Sequence, residues 1–122
     1  MSPLRTASRL LFNHCQVPHF NYVGDSILGR KCNMGAGSIL SNFKLTGEEI
    51  KLEVDGRTWR TGLNKFGGVV GDGTQVGCNA VLNPGTLVGK EVEIYPLVNA
   101  GGLIPFRSRV KMRASVEVTC RS

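Results

Sequence analysis

An all-β fold, a parallel β-helix of hexapeptide repeats with one extruded β-hairpin loop, is what this sequence predicts, on three observations. Apolar residues recur at every sixth position, glycine follows most of them, and small or β-branched residues stand four positions on. The series runs Tyr22, Leu28, Met34 and Leu40, then resumes in the same phase at Val70 and continues through Val76, Leu82, Val88, Ile94 and Ala100. All ten positions are apolar in a chain that is 41% apolar, an outcome that chance gives in roughly one search in 10³ over six registers. Glycine comes next at Gly29, Gly35, Gly71, Gly77, Gly89 and Gly101. Ser26, Cys32, Ser38, Thr74, Ala80, Thr86, Val92, Val98 and Ile104 occupy the fourth place, and Lys44 is the exception. A period of six fits neither the 3.6 of an α-helix nor the 2 of an alternating strand.

The period fits a three-sided prism in which each hexapeptide gives one short strand and one corner, and 18 residues make a coil. The apolar anchor points into a narrow interior, the small residue fills the space beside it, and glycine is expected to accept corner dihedrals that a Cβ resists. Stacked coils pair their strands in parallel at about 4.8 Å. Known solenoids of this repeat are left-handed, against the usual crossover rule.

Taken in chain order, residues 1–17 break the series and read as an irregular N-terminal cap, with Arg9-Leu10-Leu11-Phe12 starting a capping helix or an irregular coil. Residues 18–113 are the repeat domain. Within it, Ile50–Val54 and Arg57–Thr61 alternate on either side of Asp55-Gly56, a strong hairpin signal. A hairpin insertion over about 44–66 is therefore expected, with the coil resuming near Phe66 to Val70. Residues 114–122 read as a cap strand or tail, with the alternation of Ala114–Thr119 suited to a strand closing the end.

Composition narrows the function. The chain has 122 residues and a net charge of +6, with no stretch near the ~20 apolar residues that span a bilayer and no secretory leader at Met1–Arg5. A cytoplasmic protein that does not enter membranes is expected. Its basic residues are scattered without interleaved aromatics, which argues against nucleic acid and suits small phosphorylated ligands. Cys15, Cys32, Cys78 and Cys120 form no C-x-x-C pair and read as reduced thiols. With two histidines, one of them in the irregular N-terminal segment, the chain argues against a three-histidine metal site, and no metal is expected to be required.

His19-Phe20-Asn21-Tyr22-Val23-Gly24-Asp25, Asn33-Met34-Gly35-Ala36-Gly37, Asn42-Phe43 and Asn64-Lys65-Phe66 together resemble a known domain. It is the C-terminal hexapeptide-repeat domain of the bifunctional N-acetylglucosamine-1-phosphate uridyltransferase/glucosamine-1-phosphate acetyltransferase family and of related sugar-phosphate nucleotidyltransferases. The resemblance runs from about Pro18 to Pro105. It implies a homotrimer of left-handed β-helices with acetyl-CoA, as co-substrate, in clefts between subunits, and acetyl transfer to the amine of glucosamine 1-phosphate. Carried over by position, it implies His19 as catalytic base, Asn42 at the reacting amine, and Tyr22, Asn33 and Lys65 on the sugar phosphate. Ala36 and Cys78 fall where the family contacts acetyl-CoA.

The chemistry asks for such groups. An amine attacking a thioester must lose a proton, and an imidazole accepts one near neutrality. Backbone N–H groups of a glycine-rich turn can face the oxyanion, and a lysine meets phosphate as a point charge. The Arg107, Arg109, Lys111, Arg113 run reads as a solvated face or as a grip on CoA phosphates. Three departures bear on activity: Phe43 stands where the family has tyrosine, Cys78 where it has serine, and Pro96 where it has a small residue with an N–H. The family's upstream basic sugar-phosphate residues have no counterpart in residues 1–18, and the nucleotidyltransferase domain with its nucleotide loop is absent, so no uridyltransferase activity is expected. The sequence leaves a second reading open, a non-catalytic trimerisation or ligand-sensing β-helix. Asn33 and Asn42 as corner residues, and His19 and Lys65 as solvated side chains, are what that reading requires.

Overall fold

Three parallel sheets close around one interior column. The structure, a computed structural model, describes residues 5–6 and 9–121, with side chains from residue 9 onward; part of the segment read as an N-terminal cap therefore lies outside the described residues. The first face stacks Arg5–Thr6, Tyr22–Val23, Ile39–Leu40, Val81–Leu82 and Asn99–Ala100. The second stacks Asn33–Met34, Gln75–Val76, Glu93–Ile94 and Arg109–Val110, with Gln16 bridged to Asn33 at its start. The third stacks Arg9–Leu11, Ser26–Leu28, Val69–Val70, Leu87–Val88 and Leu103–Ile104. No helix occurs among the described residues, and the fold is the expected left-handed β-helix.

The registers account for the period of six. Val70, Val76 and Leu82 pair with Val88, Ile94 and Ala100, each 18 residues on. Leu28, Met34, Leu40, Val70, Val76, Leu82, Val88 and Ile94 all point inward and are buried; burying each such side chain contributes about 1.5–3 kcal/mol. Cys32, Ser38, Thr74, Ala80, Thr86, Val92 and Val98 fill the interior beside them. The polar members bond to backbone: the Cys32 thiol donates to the Gly71 carbonyl at 3.1 Å and the Thr74 hydroxyl to Gly89 at 3.0 Å.

Two expectations need correction. Tyr22 is not an inward anchor: Val23 pairs with Leu40 and is fully buried, whereas Tyr22 is half-buried and faces outward. The corner at Gly24-Asp25 is one residue short, so the phase upstream of it shifts by one. In that shifted phase Leu11, Val17 and Val23 continue the series, with Leu11 and Val17 packed against the core. Arg9–Leu11 is accordingly a strand of the first coil, and no helix starts there.

The second correction concerns glycine. The left-handed corner position lies three residues after the anchor, where Gly37, Gly73 and Gly85 share it with Lys31, Asn79, Glu91 and Leu97 at φ of 53–65°. The glycine next to the anchor serves a different purpose, because stacked coils touch there. A Cβ on Gly71 would lie 2.6 Å from the backbone of Gly89 and Lys90, and one on Gly35 2.7 Å from the Cys78 nitrogen.

Between Leu40 and Val70 the chain leaves the prism at the corner joining the first and third faces. Lys51–Val54 pairs antiparallel with Arg57–Arg60, and Asp55 (φ 50°) and Gly56 (φ 75°) are both left-handed, as a type I′ turn requires. Ile50, fully buried, returns against the corner at Gly85. At the far end, residues 111–121 form no strand and are exposed.

Candidate functional site at two corners of the prism

Four corners stack where the second face turns into the first: Pro18–Asn21, Gly35–Ser38, Gly77–Ala80 and Tyr95–Val98. A backbone ladder ties them, with Gly37 N–H donating to His19 O (2.9 Å), Asn79 N–H to Ala36 O (2.9 Å) and Leu97 N–H to Cys78 O (3.1 Å). His19, Ala36 and Cys78 thus share one corner, on successive rungs, and each is exposed. Asn21 sets the His19 corner. Its Oδ1 accepts from the His19 N–H at 3.0 Å, while its Nδ2 donates to Gly35 O and Ser38 Oγ at 2.7 and 2.9 Å. Asn21 is buried and occupies the interior position four residues after Val17. The one-residue phase shift hid that role in the sequence.

Beside this ladder, a groove of about 330 Å³ runs along the second face. Asn33, Gly35, Gln75, Cys78, Tyr95 and Pro96 are among the residues that line it. The Lys111 ammonium lies 4.8 Å from the centre of the Tyr95 ring, whereas Arg107 and Arg109 pair with Glu91 and Glu93 at 3.7 and 3.3 Å. Pro96 offers no N–H to this groove.

The other cluster sits at the corner where the hairpin leaves. Asn42 is 8% exposed and donates its amide to the Asp25 carboxylate at 2.6 Å, while its backbone carbonyl accepts from Phe66 N–H at 2.9 Å. Gly24 makes the packing possible, since a Cβ there would lie 2.6 Å from the Tyr22 hydroxyl and 2.7 Å from the Asn42 amide nitrogen. Tyr22 and Asn42 therefore converge on one point. Asp25 is the residue that the sequence reading missed, although it stood inside the motif that carried the resemblance. Lys65, exposed, lines a mostly apolar groove of about 470 Å³ with Asp25, Arg9, Leu10, Ile27 and Phe66.

One copy of the chain does not unite the two clusters. The His19 corner and the Asn42 corner bound opposite edges of the first face, one prism side of roughly 15 Å apart, with Tyr22 on the face between them and Asn33 round on the second face. Among the described residues, no three His, Cys, Asp or Glu side chains gather as a metal site would need, and no helix is long and apolar enough to cross a membrane.

No protein-family model matches the chain. In sequence it is 35% identical over 81 residues to a bifunctional sugar-1-phosphate nucleotidylyltransferase/acetyltransferase of Sulfurisphaera tokodaii, covering 66% of this chain and 20% of that protein. It is 36% identical over 80 residues to the bifunctional protein GlmU of Methanococcus vannielii, with 66% and 19% covered. The matches span about one fifth of these relatives' length. In structure it is similar to serine acetyltransferase isoform 3 of Entamoeba histolytica (TM-score 0.71, 14% identity, 93% of this chain and 36% of that one). It is also similar to the acetyltransferase domain of PglB from Neisseria gonorrhoeae in complex with acetyl coenzyme A (TM-score 0.63, 17% identity, 85% and 40%). In sequence and fold, the chain resembles the C-terminal left-handed β-helix domain of the bifunctional sugar-phosphate nucleotidylyltransferase/acetyltransferases.

Proposed function

We propose that this chain is an acyl-CoA-dependent N-acetyltransferase domain acting on a phosphorylated amino sugar of the glucosamine 1-phosphate kind, assembled as a homotrimer with each site shared between copies. The observation that carries this reading is the division of the candidate residues between two corners. His19, Ala36 and Cys78 lie on one ladder, and Tyr22, Asn42 and Lys65 gather at or beside the other. A site needing both is completed by a neighbouring copy.

The groove beside Cys78 suits an extended pantetheine arm, since Gly35 and Gly77 keep the stacked coils close along it and Asn33 and Gln75 line it with hydrogen-bonding groups. Lys65 meets the sugar phosphate. Asn42, its amide directed by Asp25, keeps the acceptor amine in place, and Asn33 and Tyr22 offer hydrogen bonds to sugar hydroxyls. The amine nitrogen attacks the thioester carbonyl carbon and forms the C–N bond. His19 takes the amine's proton, the C–S bond breaks, and the imidazolium returns that proton to the departing thiolate. A well-placed base contributes about 10²–10⁴ in rate.

Pro96, with no N–H for the donor, and Phe43, with no hydroxyl, favour the second reading, a non-catalytic assembly domain. Thiol release from acetyl-CoA decides between them, measured with and without glucosamine 1-phosphate on the native chain and on His19→Ala. Sugar-dependent release that falls at least 100-fold in the variant is expected. Assembled protein that releases no thiol with any amino sugar phosphate overturns the enzyme reading.

A further inference from the structure

Cysteine fills the interior position four residues after an anchor on two rungs, and both rungs belong to the corner where the third face turns into the second. Cys15 follows Leu11 and Cys32 follows Leu28, with Thr74 and Val92 after Val70 and Val88 on the next rungs of the same corner. The two cysteines are 17 residues apart, one coil less the residue missing at Gly24-Asp25, so the short corner is what aligns them. The register is fixed beside them. Gln16 is bridged to Asn33; its N–H donates to the Cys32 carbonyl at 2.8 Å and its carbonyl accepts from the Met34 N–H at 2.8 Å. Cys15 and Cys32 are therefore lateral neighbours on adjacent coils, with Cα atoms about 4.8 Å apart, within the roughly 4.4–6.8 Å that a disulfide spans. Both are free thiols, and each donates to a carbonyl of the next rung, Cys15 to Gly29 at 2.7 Å and Cys32 to Gly71 at 3.1 Å. Packing does not ask for a thiol here, since Ser38, Thr74, Ala80 and Val92 fill the equivalent place on other rungs and corners.

We infer that Cys15 and Cys32 are a reversible oxidative modification site, closing to a disulfide by exchange with a low-molecular-weight disulfide such as glutathione disulfide. Burial sets the order of events. Cys15 is half-buried, whereas Cys32 is 1% exposed and burial pushes its thiol up to about 11. Cys15 reacts first: its thiolate attacks one sulfur of the donor, the donor's S–S bond breaks, and one glutathione leaves with the Cys15 proton. Cys32 then attacks the Cys15 sulfur of this mixed disulfide, and the second glutathione leaves with the Cys32 proton. Two protein thiols are oxidised, and one donor disulfide is reduced to two thiols. The Cys32 sulfur turns from the Gly71 carbonyl to Cys15. Cys78 stands across the second face, at its other corner, and takes no part.

The bond staples the first coil to the second. The first coil's strands, Arg5–Thr6 and Arg9–Leu11, stand at the ends of their sheets with one neighbour each, the place from which a stack opens first. His19 lies four residues beyond Cys15 on the same coil, so the staple also holds the corner that carries it. The inference stands on the register alone and is independent of catalysis.

The test equilibrates the folded chain in buffers of reduced and oxidised glutathione, quenches in acid, unfolds, alkylates, and maps tryptic peptides by mass spectrometry. Cleavage at Arg9, Arg30 and Lys31 puts the two cysteines on separate peptides. A linked Cys15–Cys32 pair that forms with oxidised glutathione and is lost with reduced glutathione is expected. Cys15→Ser should leave Cys32 a free thiol, and Cys32→Ser should stop at a mixed disulfide of glutathione on Cys15. Hydrogen exchange at the Phe12 and Gln16 amides, which bond to Leu28 and Cys32, should slow about tenfold or more in the oxidised chain. The mapping is read on the native chain, so it decides even where a variant fails to fold. Both thiols free at every glutathione ratio, a native chain that stops at the mixed disulfide on Cys15, or a link that forms only in urea overturns the inference. Unchanged exchange in a linked chain overturns the staple.

Discussion

Asn42 and Asp25, 17 positions apart in the chain, meet at 2.6 Å because the hairpin excursion begins on the rung below the short Gly24-Asp25 corner. The bond fixes which way the Asn42 amide points. A buried amide stripped of its partner costs about 1–3 kcal/mol. Asp25→Ala should therefore lower the stability by that order in thermal or urea unfolding. In the thiol-release assay it should cut turnover about tenfold or more. A variant with native turnover would separate Asn42 from the reaction.

The two kinds of glycine make separable predictions. Gly71→Ala drives a Cβ into the backbone of the next coil, where nothing can give without parting the rungs, and should destabilise by more than 3 kcal/mol. Gly56→Ala meets no atom within 4 Å and suffers only its φ of 75°, a cost of about 1 kcal/mol. Gly24→Ala should leave most of the stability and displace Tyr22 and Asn42 together, raising KM for the amino sugar. Urea unfolding of the three variants, ranked by midpoint, checks the order.

Cys32 gives the fold a signature at alkaline pH. Burial is the main cause that pushes its thiol from 9.0 up to about 11. A raised folded pKa means that the neutral thiol's contribution is whole below pH 9 and fades as pH climbs through 11. A shift of this size is worth about 2–3 kcal/mol. The stability difference between native protein and Cys32→Ala should shrink by that order across this window, and a constant difference would place the thiol in water.

The interior of the prism was legible because its period is strict: Leu28 to Leu40 and Val70 to Ile94 are inward in the phase that the sequence shows. Asp55-Gly56 likewise announced its turn, since few residue pairs accept two left-handed dihedrals. The first coil was hidden by a single missing residue at Gly24-Asp25, which moved Leu11, Val17 and Val23 out of phase and put Tyr22 in the place of Val23. Glycine was assigned to the wrong strain, because close approach between coils cannot be told from a left-handed dihedral without knowing which backbone lies beneath. At the site, local motifs located each corner. That the two corners lie across a face from each other is a property of the winding and of no single stretch of sequence.

A site shared between copies makes a demand that no single-chain site can meet. His19→Ala and Lys65→Ala, each prepared alone, should release little thiol from acetyl-CoA in the presence of glucosamine 1-phosphate. Mixed, dissociated and reassembled, they should regain a substantial fraction of native activity, because some interfaces then pair an intact His19 corner with an intact Lys65 corner. Mixtures as inactive as their components, alongside an active native protein, would contradict the account.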